Sequence, residues 1–399
     1  MNKRQWIVRL AVLGAVLVGA VAASAATTGK TAAPPIIVGY SIAKTGGFST
    51  YDLELETGGK IAAAAINAKG GVLGRQIKII DCDTTSQLAQ SGPCAQQLIG
   101  KGAQVIIGTS DYDFGGGADR AAAAKGLLAF GMAGDPRLGY HGVGPTVFNL
   151  YQGSNAEGAV AAEFAYNKGW RKPYMLTDTI NSYPKTVSTN FAIRWKELTG
   201  KGVAGQDLFL NSDPSIATQI SRLRAANPDV ILIASFPPGG ASAIKQIRAA
   251  GINTPIVTDE AFDGSSWISA IPNLSNVYIP NLASGDGNDP SPAVNKFFVD
   301  YKKFTGQKAV LAAYPVMGYS QIQVMAKGME DAKSTDPKKV AAAIENLHNF
   351  PALIGPTSYD WKKDCNVAAD RPFVVFQVTN GKEKFIETLL PKSVPPFSC

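Results

Sequence analysis

The chain has 399 residues, 45% of them hydrophobic and 17% charged, so it carries enough apolar material for two cores and is not a disordered polymer. Its formal charge of +7 includes three positive charges within the first 25 residues, which leaves about +4 over the remainder. No basic cluster with interleaved aromatics is present, so nucleic acid is excluded as an expected partner.

Lys3, Arg4 and Arg9 lead into an apolar run over 10–23, and Ala23-Ser24-Ala25 follows with small residues at the positions a signal peptidase reads. The run is short for a membrane span and gives way to a polar, Pro-containing stretch. A cleavable signal peptide over 1–25 is therefore expected. No cysteine follows the run to take a lipid anchor, so the expected location is a free, soluble state in the periplasm.

The next segments alternate between strand and helix. An apolar run at 36–43 reads as a strand covered on both faces. A helix is predicted over 52–68, where Leu55, Gly59, Ala62 and Ile66 recur at helical spacing, and Gly70-Gly71 ends it. Strands at 76–82, 105–109, 127–133 and 146–150 alternate with helices at 87–101 and 117–125. The pattern then restarts. Helices are expected at 155–168, 184–198, 215–226, 240–250 and 265–270. Strands are expected at 173–177, 206–210, 229–234, 255–258 and 277–282. Helices at 293–305, 309–332 and 337–346 follow, and strands at 372–376 and 384–389 close the chain. Such alternation predicts an α/β protein with two doubly wound parallel sheets, whose ligand sits at the carboxyl ends of the strands.

Those ends hold aromatics and acids rather than catalytic machinery. Phe48, Tyr51, Tyr112, Phe114, Tyr183, Phe236 and Phe262 lie at or near predicted strand tips, together with Asp111, Asp113, Asp135, Asp178, Asp259, Glu260 and Asp263. Aromatic walls with a few placed polar groups describe a small-molecule cleft. GxSxG, HExxH and Walker patterns are missing, no GxGxxG follows a predicted strand, and no cofactor is expected. Gly115-Gly116-Gly117 reads either as an anion-binding turn before a helix or as a tight turn. His141 and His348 read as loop residues, and without CxxC spacing no metal site is expected. Four cysteines allow three pairings. Cys82–Cys94 and Cys365–Cys399 are favoured, the first pinning a strand tip to the next helix and the second tethering the C-terminus.

The opening IIVGYSIAKTGGFSTYDLELETGGKIAAAAINAKGGVLGRQIKIIDCD, the segment VIIGTSDYD and the late GPTSYDW resemble the leucine/isoleucine/valine-binding-protein family. The likeness extends over essentially the whole chain beyond the signal. It implies a type I periplasmic binding protein, with two lobes joined by a three-segment hinge near 151–153, 282–284 and 364–371. Lobe one would be 35–152 with 283–366, and lobe two 153–282 with 367–399. The implied function is that of a monomeric solute receptor, not an enzyme, which closes on a small molecule and docks transiently on an inner-membrane ABC permease. A ligand sensor for a signalling protein is the alternative, and a periplasmic enzyme is disfavoured.

The resemblance also implies ligand positions. Tyr51 matches an aromatic of the first loop, Ala133 a backbone contact, Tyr183 a second-lobe tyrosine, Phe236 another aromatic, and Glu260 the acid that pairs with a ligand ammonium. Asp111 joins the candidate ligand-binding residues from its place at a predicted strand tip. Tyr112 falls where a serine often takes the ligand carboxylate, and Asp135 where a threonine usually stands. Both departures argue against a simple aliphatic amino acid. An amino acid derivative, an amide or amine, or an aromatic compound satisfies these walls.

Overall fold

The computed structural model describes residues 33–131, 143–264, 266–307, 313–359 and 365–396. Five parallel strands form a first sheet: β1 (Ile36–Ile42), β2 (Ile77–Asp83), β3 (Val105–Gly108), β4 (Leu128–Gly131) and β5 (Val147–Asn149), in the order β2-β1-β3-β4-β5. Alternate side chains enter two different cores, as the two-residue period of a strand requires. Val38, Tyr40, Val105, Ile107, Leu128, Phe130 and Phe148 enter one core. Ile106, Ala129 and Val147 enter the other. The first core is covered by α1 (Ser49–Asn67), α8 (Pro292–Thr305), α9 (Tyr314–Ala332) and α10 (Pro337–Glu345). The second is covered by α2 (Ser91–Gly100) and α3 (Tyr112–Ala124) through alanines such as Ala95, Ala118 and Ala122. Burial on both faces is why these strands read as unbroken apolar runs.

The second sheet has seven strands. β6 (Pro173–Asp178), β7 (Gly205–Phe209), β8 (Val230–Ala234), β9 (Ile256–Val257) and β10 (Val277–Asn281) are parallel. β13 (Phe373–Thr379) joins β10 antiparallel, and β14 (Lys382–Leu389) joins β13 antiparallel. The second sheet is therefore mixed at one edge, where a wholly parallel sheet was expected. One face packs on α6 (Ala217–Ala226) and α7 (Gly239–Ala249), the other on α4 (Ser154–Asn167) and α5 (Ser182–Thr199). A short hairpin, β11 (Phe350–Ala352) and β12 (Gly355–Thr357), lay unread just before and at the start of the GPTSYDW stretch.

The described residues from Pro34 onward form one compact unit. The chain passes between the sheets after β5, after β10 and before β13, and two of these passages are bonded together. Asn149 N–H donates to Asn366 O at 2.9 Å, and Ala368 N–H donates to Asn149 O at 2.9 Å. The buried Arg371 donates through Nη2 to Leu150 O at 2.9 Å and to Gln152 Oε1 at 2.7 Å.

Cys82 is bonded to Cys94, with Cα atoms 5.5 Å apart, which ties the end of β2 to α2. Cys365 is buried, while Cys399 lies outside the described residues, as do Ala133, Asp135, His141 and the 1–25 segment. The glycine cluster has a packing role instead of an anion-binding one. Helix α3 begins at Tyr112, five residues before the expected start, and Asp111 caps it. Gly115 lies inside that helix, where a Cβ would sit 2.4 Å from Thr109 O.

Helices α1 and α9 approach even more closely. A Cβ on Gly318 would lie 1.8 Å from Leu55 O, and one on Gly58 would lie 1.9 Å from Pro315 O. Backbone cannot yield as a flexible side chain does. Gly318→Ala is expected to lower stability by about 2 kcal/mol despite alanine's better helix propensity, read as a lower urea midpoint at unchanged slope.

Candidate ligand cleft

Short polar side chains at the strand tips hold the loops that shape the cleft. Asp83, the last residue of β2, accepts hydrogen bonds from Lys44 N (2.8 Å), Thr45 N (3.2 Å), Thr45 Oγ1 (2.9 Å) and Thr85 N (2.8 Å). Asp52, in the first turn of α1, accepts from Ala43 N at 2.7 Å and Ser110 N at 3.0 Å, which joins the loops after β1 and β3. Burial pushes its carboxyl up to about 6 against the pull of those bonds. In the second sheet Asp178 accepts from Ser235 Oγ (2.7 Å), Asn211 N (3.0 Å) and Asn211 Nδ2 (2.8 Å). Asp259 accepts from Ser235 N at 2.8 Å. Several acids that the sequence places at strand tips therefore work as loop clamps.

The lobes touch across these tips. Tyr51 Oη donates to Ala261 O at 3.0 Å, Asn181 Nδ2 to Asp111 Oδ2 at 3.0 Å, and Ser182 N–H to Asp113 Oδ2 at 2.8 Å. Phe48 packs on Phe114 of its own lobe, with ring centroids 4.5 Å apart, and on Phe236 of the other at 6.0 Å. Tyr51 packs on Tyr314 at 5.1 Å. Phe48, Tyr51, Ser110, Asp111, Tyr183, Phe236, Glu260, Ala261 and Tyr314 enclose a cavity of about 20 Å³, room for on the order of one water molecule. The two walls are drawn together here, and a larger solute requires them to part.

The electrostatic centre of the cleft is a group of buried carboxylates. Tyr314 Oη donates to both oxygens of Glu260, at 3.0 and 3.1 Å. Directly behind lies Glu157, in the first turn of α4. It accepts from Tyr151 Oη at 2.7 Å, from Tyr183 Oη at 2.9 Å and from the backbone N–H of Glu260. Burial pushes Glu157 up to about 7, opposed by these bonds. Burial and then the Glu157 charge raise Glu260 and Asp259 well above the carboxylate range. Asp263, which accepts from Asn281 Nδ2 at 2.7 Å and from Ala313 N, is raised to about 7, chiefly by burial.

The structure thus brings together Tyr51, Asp111, Tyr183, Phe236 and Glu260 of the expected set. Two other strand-tip aromatics lie elsewhere. Tyr112 does not line the cavity; its ring lies beneath Arg120, 5.9 Å from the guanidinium carbon, and Ser110 occupies the wall instead. Phe262 turns into the second-sheet core against Trp267. Tyr314, Glu157 and Ser110 were missed. Tyr314 reads in sequence as an interior residue of the helix expected over 309–332, whereas it opens α9, and Glu157 reads as an ordinary first-turn acid.

Two α/β sheets linked by three passages of chain, with a cavity at the carboxyl ends of their parallel strands, have the architecture of a two-lobed binding protein. Residues 35–383 match the periplasmic binding protein family, and the chain belongs to that family. It is similar to Leu/Ile/Val-binding protein homolog 1 of Brucella melitensis biotype 1, with 22% identity over 374 residues, 92% of this chain and 98% of the relative. Among solved structures it resembles the leucine binding protein LivK of Thermotoga maritima, with a TM-score of 0.78, 24% identity, and coverage of 89% of this chain and 99% of that one. It also resembles an ABC transporter solute binding protein of R. palustris in complex with benzoate, with a TM-score of 0.77, 17% identity, and coverage of 92% and 99%. At these identities the structural likeness speaks for the fold. Among the described residues no helix is long and apolar enough to cross a membrane.

Proposed function

We propose that this chain is the periplasmic receptor of an ABC importer, binding an amino acid, an amino acid derivative or a related small polar or aromatic solute by hinge closure. One observation carries the reading: the cavity is walled by both lobes at once, Tyr51 and Asp111 from one and Tyr183, Phe236 and Glu260 from the other. A ligand touching both walls favours the closed state over the open one, and that difference is what a permease senses. The ligands named for similar proteins, leucine and benzoate, are of a size such a cleft accepts when it opens.

Lobe one comprises 35–152 with 283–366, and lobe two 153–282 with 367–399, a division supported by which helices cover which sheet. Tyr51, Asp111, Tyr183, Phe236 and Glu260 are the ligand-contacting residues, joined by Ser110 and Tyr314. The first 25 residues direct export and are removed, and the mature protein acts as a monomer that releases its solute unchanged.

Small-angle scattering and thermal unfolding together test this reading. A solute at one hundred times its dissociation constant is expected to stabilise the fold by roughly 2.7 kcal/mol and to reduce the radius of gyration. A stabilising solute that leaves the scattering curve unchanged, or that is chemically altered, overturns it.

A further inference from the structure

The cleft presents a negative group from each lobe. Glu260 faces the cavity from the second lobe, backed by Glu157. From the first lobe comes Asp111, whose Oδ1 accepts from Asp113 N at 2.8 Å and Phe114 N at 3.3 Å, while Oδ2 accepts from Asn181 Nδ2. The N-terminus of α3 attracts a carboxylate, and the protein has filled that place with its own. The neighbouring Ser110 N–H is likewise committed to Asp52. Among the described residues lining the cavity there is no Lys, Arg or His. Most of the remaining described wall is aromatic, and the faces of such rings attract cations.

We propose that the solute is an organic cation without a carboxylate, an amine or amidine on a small apolar or aromatic body. This rests on the receptor reading above and sharpens it. A zwitterionic amino acid brings one group that suits Glu260 and a second that meets Asp111. A cationic amine or amidine brings only the first. The aromatic rings then hold the body of the solute.

The test uses the full mature chain, freed of bound solute by unfolding and refolding, in calorimetric titrations at pH 8. Three matched pairs serve as probes: leucine with leucinamide, phenylalanine with phenylethylamine, and benzoate with benzamidine. In at least one pair the cation is expected to bind ten-fold or more tighter than its carboxylate-bearing partner. Asp111→Asn is expected to narrow that ratio about ten-fold, and Asp111→Ser, which keeps a capping oxygen, serves as the second variant. A carboxylate-bearing member that binds as tightly as its partner, or a panel in which no cation binds, overturns the assignment. If leucine or benzoate wins and still compacts the protein, the receptor reading stands and only the charge preference falls. If no solute at all compacts it, the receptor reading itself falls.

Discussion

Glu260→Gln is expected to weaken binding of the solute about 100-fold and at the same time to stabilise the unliganded protein. The two effects have one cause. Glu260 is buried beside Glu157 and held by Tyr314, with no basic partner among the residues bonded to it. A carboxylate in that position costs free energy until a ligand supplies a positive charge. Losing one member of a buried charge pair costs 2–5 kcal/mol, so about 3 kcal/mol, or roughly 100-fold, is the expected loss in affinity. Glutamine keeps an acceptor for Tyr314 and removes the repulsion, for an expected gain of about 1 kcal/mol in urea denaturation at pH 8. Calorimetry and denaturation on one preparation check both signs. An unchanged affinity in a stabilised variant would place Glu260 among the loop-holding acids.

Stability of the unliganded protein is expected to fall as pH rises from 5 to 8. Burial raises Glu157, Asp263 and Asp119 to about 7 and Glu383 to about 8. In the unfolded chain such groups ionise near pH 4. Within the window the folded state therefore holds more protons than the unfolded state, and the free energy of unfolding decreases with pH. The stabilisation is complete below the unfolded value and is lost as pH passes the folded values. Groups shifted the other way, such as Asp83 and Asp207, titrate below the window and do not offset the trend. At 1.36 kcal/mol per pKa unit, one such acid accounts for about 3 kcal/mol, so a loss on the order of 3 kcal/mol or more is expected between pH 5 and 8. Urea midpoints across that range measure it, and Glu157→Gln should flatten the profile. A profile that is flat or rises with pH for the unaltered protein would refute the account. Binding of a cationic solute should strengthen over the same range, because it requires the ionised carboxylates.

Much of this architecture was legible from periodicity, because a strand buried on both faces must be apolar throughout. The runs at 36–43 and 229–234 show this directly, and the alternation with helices follows from parallel connection. Boundaries slipped where side chains, not apolar spacing, start a helix. Asp111 caps α3, whose first residue, Tyr112, lies five positions ahead of the Gly117 that looked like its beginning. The antiparallel edge at β13 and β14 could not be read, since local pattern carries no strand direction. At the site, Tyr51, Tyr183, Phe236 and Glu260 announce themselves by type and position at strand tips. Glu157 and Tyr314 do not, because each reaches the cleft only where its helix, distant in sequence, meets Glu260.

The order in which the sheets draw on the chain bears on biosynthesis. The first sheet's larger core lacks α8, α9 and α10 until residues beyond 290 exist, and β10 keeps an open edge until β13 arrives at 373–379. A nascent chain emerging from the ribosome would expose both apolar surfaces for most of its synthesis. The export proposed above, in which the chain crosses a membrane as an unfolded thread and folds only after its last residue has passed, would spare it that hazard.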